Sequence, residues 1–184
     1  LRQPQWLAQG QAYYCFLTDD EITAQKEAAM AAGQPYPLQS PYRDGCLQAA
    51  KARLANGETA TVRFKCATKK VSYTFEDMVR GSVTLPSHMV GDFVILRSGG
   101  MPVYNFCCAV DDAKMGITHV FRGEEQLPNT LRQLMIYEAL QATPPQFGHL
   151  SIILGEDKKK LSKRQGAVSC DAFRAEGFLP EGLL

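Results

Sequence analysis

The sequence predicts an α/β protein in two parts: an α+β unit of helices followed by a small sheet, then a half in which strand and helix alternate. Three observations carry this reading. Helical, Ala-rich segments dominate the first 56 residues. Polar and apolar residues then alternate over 61–66 and 71–75, the period of a half-buried strand. From about residue 103 the order becomes strand, helix, strand, which favours a parallel sheet. Too few strands are present to complete a doubly wound sheet.

Residues 1–10 read as the end of a helix closed by Gly10, and the aromatic-rich run 12–17 as a strand. Thr18-Asp19-Asp20-Glu21 fits a capping box, because the Thr hydroxyl and the Glu carboxylate can each satisfy a first-turn amide. A helix should run from there to about Ala32. Gly33, Pro35, Pro37 and Pro41 make 33–41 a loop, and a helix is expected over 42–56, ended by Gly57. Strands are expected at 61–66, 71–75 and 92–97, with a turn at Gly99-Gly100. In the second half, 117–121 reads as a strand. Leu127, Leu131, Leu134 and Met135 share one face of a helix over 125–140. Residues 147–154 read as a buried strand, 158–166 as a basic loop, and Ser169 as the cap of a last helix toward Glu176.

Hydrophobic residues make up 45% of the 184 and charged residues 21%, which excludes a disordered chain. No apolar run approaches 18 residues, so no membrane-spanning helix is expected. The net charge of +1 excludes a generic polyanion binder, so contact with nucleic acid would need a local patch. Six cysteines include no Cys-x-x-Cys pair. Cys107 and Cys108, inside an apolar run, read as buried free thiols, so a reducing intracellular compartment is expected. His88, His119 and His149 are too scattered to suggest a metal site. The chain begins without Met, and its first residues resemble no targeting peptide. It reads as a mature product or as a fragment of a longer protein.

The densest chemical signal is Lys160-Leu161-Ser162-Lys163-Arg164, flanked by Gly155 and Gly166. Three cations on a glycine-flanked loop can surround a polyphosphate and stabilise charge developing on a leaving pyrophosphate. A solvated basic turn is the competing reading of these five residues alone.

Upstream stand Pro102-Val103-Tyr104-Asn105-Phe106, then Val110-Asp111-Asp112, then Gly116-Ile117-Thr118-His119-Val120-Phe121-Arg122-Gly123-Glu124-Glu125. Leu127-Pro128-Asn129-Thr130-Leu131-Arg132-Gln133 and His149-Leu150-Ser151-Ile152-Ile153-Leu154 follow. With the lysine loop, this ordered set resembles the class I glutamyl-tRNA synthetases. The match is dense over 91–184 and looser over 1–90, where Gln11-Ala12-Tyr13-Tyr14-Cys15 and Asp44-Gly45-Cys46 still fit.

The resemblance implies the second half of a split Rossmann-like catalytic fold, preceded by an inserted α+β domain that binds the tRNA acceptor end. The expected boundaries are 1–11 for the end of the first catalytic half, 12–110 for the insertion and 111–184 for the second half. Arg122 would grip the substrate's side-chain carboxylate, a task suited to a guanidinium. Tyr104, Asn105, Phe106, Cys107 and Cys108 would line the glutamate pocket, with Tyr104 the foremost contact. Glu125, Lys160, Leu161, Ser162, Lys163 and Arg164 would bind ATP, and Lys163 and Lys160 would act in catalysis. Asp111 and Asp112 would have structural and positioning roles.

The implied substrates are L-glutamate, ATP with Mg2+, and tRNA(Glu), handled by a monomer in the cytoplasm or an organelle matrix with no membrane association. Some members carry a structural zinc. Here Cys15 and Cys46 match two ligand positions while Leu17 and Gln48 fill the others, so no zinc is expected. The family's His-x-Gly-His-type loop and its anticodon-reading domains have no counterpart in these residues. The resemblance therefore implies an internal fragment of a longer protein, and the isolated chain is expected to be inactive. Glutaminyl-type relatives, a tRNA-modifying paralogue and a non-catalytic RNA-binding module are the rivals. A P-loop hydrolase is excluded because no Gly-x-x-x-x-Gly-Lys-Ser/Thr occurs.

Overall fold

The computed structural model describes residues 3–33, 38, 40–66, 72–87, 90–152, 154 and 170–182. The lysine loop 160–164, the predicted cap Ser169 and part of the proline-rich loop lie outside the described residues.

Helix α1 (Gln3–Ala8) leads through Gly10, at φ +69°, into strand β1 (Ala12–Cys15). Helix α2 (Asp19–Ala31) starts at the expected capping box: Thr18 Oγ1 accepts from Glu21 N at 3.3 Å and Glu21 Oε2 accepts from Thr18 N at 2.7 Å. Helix α3 (Leu47–Ala55) begins five residues later than predicted. A turn precedes it, closed by Gly45 N donating to Tyr42 O, and Arg43 is spent on Asp92 Oδ2 at 2.8 Å and on the Cys66 carbonyl at 2.6 Å. Strands β2 (Thr61–Phe64), β3 (Ser72–Asp77), β4 (Gly81–Pro86) and β5 (Phe93–Leu96) follow. The sequence reading omitted β4, although Ser82-Val83-Thr84-Leu85 alternates.

Helix α4 (Tyr104–Met115) was not predicted either; no side chain caps its start, which hides its boundary. Its Phe106, Ala109 and Val110 are buried, while Cys107 and Cys108 are half-buried rather than buried as expected, because they lie on the helix flanks. Strand β6 (His119–Gly123) is shifted two residues from its predicted place. Left-handed Gly116 ends α4, and the amide of Ile117 still bonds the Asp112 carbonyl. A 3-10 turn (Glu124–Gln126) enters helix α5 (Leu127–Leu140), and strand β7 (Gln146–Leu150) is shorter than the predicted 147–154. Helix α6 (Cys170–Ala175) lies near the end.

The predicted single small sheet of the first part is two sheets. One is antiparallel with order β1-β2-β5; the other has order β4-β3-β7-β6. In the second, the β3–β4 hairpin joins β7 in parallel, and β6 runs parallel to β7 with Arg122 opposite His149. The parallel pairing expected for the second half is thus present, and the hairpin is recruited to it. One hydrophobic core spans both sheets. Trp6, 1% exposed, packs edge-on against Phe64 and Phe106, each at 5.6 Å, and its indole N–H donates to the Ala139 carbonyl at 3.3 Å. Leu131, Met135, Ile136 and Tyr137 of α5 and Phe147 of β7 close the core. Among the described residues, no helix is long and apolar enough to cross a membrane.

Candidate active site

Strands β6 and β7 deliver Arg122 and His149 side by side, and α5 crosses above them with Thr130 and Gln133 one turn apart. Apolar strand residues fix the backbone, and the polar side chains then meet in a cluster: Thr130, Gln133 and His149 are buried and Arg122 is half-buried. Arg122 Nη2 donates to Thr130 Oγ1 at 2.6 Å and to Gln133 Oε1 at 2.9 Å, and Arg122 Nε donates to His149 Nε2 at 3.3 Å. The Phe147 ring lies 5.3 Å beneath the guanidinium carbon.

A guanidinium can only donate, so its position sets the polarity of every amide that follows. Gln133 must turn its oxygen to Arg122. Its nitrogen then donates to Asn105 Oδ1 at 3.3 Å, Asn105 Nδ2 donates to Asn129 Oδ1 at 3.1 Å, and Asn129 Nδ2 donates to Gln126 Oε1 at 2.7 Å. The chain of amides thus locks the start of α4 to the start of α5. None of Arg122's described partners is a carboxylate. Glu124, two residues away, pairs with Arg80 and accepts from Ile152 N at 3.2 Å. A half-buried cation among neutral acceptors retains its charge for an anion.

Beneath Arg122 lies a fully buried pair. His149 Nδ1 meets Asp77 Oδ2 at 2.5 Å, and Thr130 Oγ1 meets His149 Nε2 at 2.8 Å. Asp77 Oδ1 accepts three backbone amides, those of Val79 and Arg80 at 3.0 Å and His149 at 3.1 Å. Burial pushes the Asp77 carboxyl up, but the bonds from the His149 side chain and the three amides outweigh it and hold the group at about 2.

The predicted site residues distribute as follows. Tyr104, 59% exposed, stands at the first position of α4. Asn105 belongs to the amide chain, whereas the Phe106 ring is in the core beside Trp6. Cys107 is half-buried. Cys108 Sγ lies 3.5 Å from Asp112 Oδ2, and burial, then the Asp112 carboxylate, pushes the thiol up. Glu125 is exposed beside Gly123, where an added Cβ would run into its carboxylate. Cys15 is buried with Ser40 Oγ at 3.4 Å, and Cys46 is the exposed residue preceding α3, its thiol drawn down by the backbone amides of Ala49 and Gln48.

The sequence reading did not single out Asp77, Thr130 or Gln133 and passed over His149. The available signal was polar residues at helical spacing, Asn129, Thr130 and Gln133, on a helix whose remaining inner face is apolar.

The sequence of residues 4–184 matches a family described as tRNA synthetases class I (E and Q), catalytic domain. The chain belongs to this family. It is 57% identical over 180 residues to a glutamate–tRNA ligase of Bdellovibrio bacteriovorus, covering 98% of this chain and 36% of that protein. It is 46% identical over 177 residues to the glutamate–tRNA ligase of Aquifex aeolicus, covering 96% and 37%. Its fold is similar to the crystal structure of a glutamate tRNA ligase from Elizabethkingia meningosepticum in complex with its amino acid. There the TM-score is 0.78, the identity 31%, and the coverage 96% of this chain and 35% of that one. The chain therefore spans a little over a third of the length of these curated relatives. As a class I synthetase catalytic segment, it places its parallel strands β6 and β7, with Arg122 and His149 facing, where the polar cluster forms.

Proposed function

We propose that this chain provides the glutamate-gripping and pyrophosphate-neutralising part of a glutamate–tRNA ligase. The observation that carries the reading is the Arg122 guanidinium. It is held by neutral acceptors on its Nε and Nη2 sides, and among the described residues its Nη1 has no hydrogen-bond partner. A γ-carboxylate docking there gains an ion pair as well as the hydrogen bond, whereas a carboxamide oxygen accepts the bond without the ion pair. The reading assigns Tyr104, Asn105, Cys107 and Cys108, all on α4, to the lining of the glutamate pocket.

The α-carboxylate of the bound glutamate attacks the α-phosphate of ATP, supplied as its Mg2+ complex, and pyrophosphate leaves. Lys160 and Lys163, with Leu161, Ser162 and Arg164, take the polyphosphate, and Glu125 contributes to nucleotide binding. The glutamyl group then passes to tRNA(Glu). The β3–β4 hairpin and helix α4 act with residues 111–184 as the catalytic half, and the rest of 12–110 serves the acceptor end, in a monomer. The free thiols Cys15, Cys46, Cys66, Cys107 and Cys108 fit a reducing compartment.

The test is a hybrid in which the 184 residues replace the matching segment of the Bdellovibrio relative. Charging of tRNA(Glu) with glutamate, and not with glutamine, is the expected result. A hybrid that charges glutamine in preference, or that binds tRNA without charging it, overturns the reading.

A further inference from the structure

We infer that Asp77 and His149 are positioning residues that aim Arg122, by fixing which imidazole nitrogen carries the proton. The inference rests on the reading of Arg122 given above and adds the device that sets its direction.

Donor and acceptor bookkeeping decides the tautomer. Asp77 Oδ1 is fully engaged by three backbone N–H groups, and Oδ2, on the same ionised carboxylate, can only accept. The His149 Nδ1 facing Oδ2 at 2.5 Å must therefore carry a proton. On the other side, Nε2 faces Arg122 Nε at 3.3 Å, a group that can only donate. Nε2 must then present its lone pair, so His149 is the neutral Nδ1–H form. The Thr130 hydroxyl fits the same polarity: its oxygen accepts from Arg122 Nη2, and its hydrogen can go to Nε2 at 2.8 Å or to the Gln126 carbonyl at 3.2 Å. Among the described residues, the charged groups that bond the imidazole are Asp77 on β3 and Arg122 on β6, and α5 presents the neutral Thr130 hydroxyl.

The arrangement makes the end of the β3–β4 hairpin a remote determinant of the glutamate site. Asp77 lies 72 positions before His149 and bonds none of the groups of Arg122, yet its charge orients the ring that steers the guanidinium. An Asn at 77 is nearly isosteric and reverses the polarity. Its oxygen stays with the three backbone amides, so its NH2 faces Nδ1, the proton moves to Nε2, and Nε2–H confronts Arg122 Nε–H. The fold is kept and the aim is lost. An exchange of this type is known to trap a buried histidine in the wrong tautomer without changing geometry.

Two measurements on the hybrid decide the matter. With histidine labelled in its ring nitrogens, the NMR signal assigned by its loss in His149→Gln should report Nδ1–H, and Asp77→Asn should convert it to Nε2–H. Asp77→Asn should also raise KM for glutamate about tenfold, the scale of a coupled residue that touches neither substrate, while KM for ATP stays unchanged. The Nε2–H form or an imidazolium in the unsubstituted protein overturns the inference. So does unaltered glutamate kinetics in Asp77→Asn when Arg122→Ala has lost glutamate binding. Should Arg122→Ala itself leave glutamate kinetics unchanged, the underlying reading of Arg122 has failed instead.

Discussion

Arg122 and His149 occupy paired register positions on adjacent parallel strands, and their side chains meet at 3.3 Å, Nε to Nε2. The backbone pairing thus imposes the side-chain contact: a one-residue slip of β6 would turn Arg122 to the opposite face. Four consequences can be measured.

The first concerns the core that supports these strands. Trp6 is the only tryptophan, so its fluorescence follows unfolding directly. It fills the space between Phe64 and Phe106 and is 1% exposed. Trp6→Ala removes a large buried ring and its indole bond to Ala139, and should cost about 3–5 kcal/mol in urea unfolding followed by circular dichroism. A loss under 1 kcal/mol would show that α1 does not seal the core.

The second is a pH dependence. The Asp77 carboxyl sits at about 2 when folded, below its ordinary value of 3.8. A depressed folded value gives stability that is present above the unfolded value and lost as pH falls through the folded one. The stability gap between the unsubstituted chain and Asp77→Asn should therefore be constant above about pH 5 and shrink between pH 4 and 2. Thermal unfolding at a series of pH values measures it. A gap that widens on acidification would contradict the assigned bonding of Asp77.

The third concerns the lysine loop, which lies outside the described residues. In the hybrid, Lys163→Ala should lower kcat for pyrophosphate exchange, with tRNA present, far more than it raises KM for ATP. That is the pattern of a contact made chiefly in the transition state. A change confined to KM would assign Lys163 to ground-state ATP binding.

Much of this was legible in the residues because it is local. The capping box at Thr18, the apolar face of α5 and the strand–helix–strand order of the second half all follow from short-range pattern. Arg122 was legible only through the motif around it. The rest depended on distant pairing. Val71-Ser72-Tyr73-Thr74-Phe75 announces a strand but not its sheet, and nothing local tells Asp77 that it will meet His149. His149, within an apolar strand, reads like any core residue until its neighbours are known. The start of α4 was hidden because Val103 offers no capping side chain, and α3 began late because Arg43 is recruited to Asp92 and Cys66.

The fourth consequence tests the central claim most directly. In the hybrid, kcat/KM is compared for glutamate and for glutamine, with Arg122 intact and with Arg122→Ala. If Arg122 grips the side-chain carboxylate, Arg122→Ala loses about 2–4 kcal/mol of glutamate recognition, the range for breaking a buried charge pair, and the preference over glutamine collapses with it. An unchanged kcat/KM for glutamate in a folded Arg122→Ala hybrid would contradict the account.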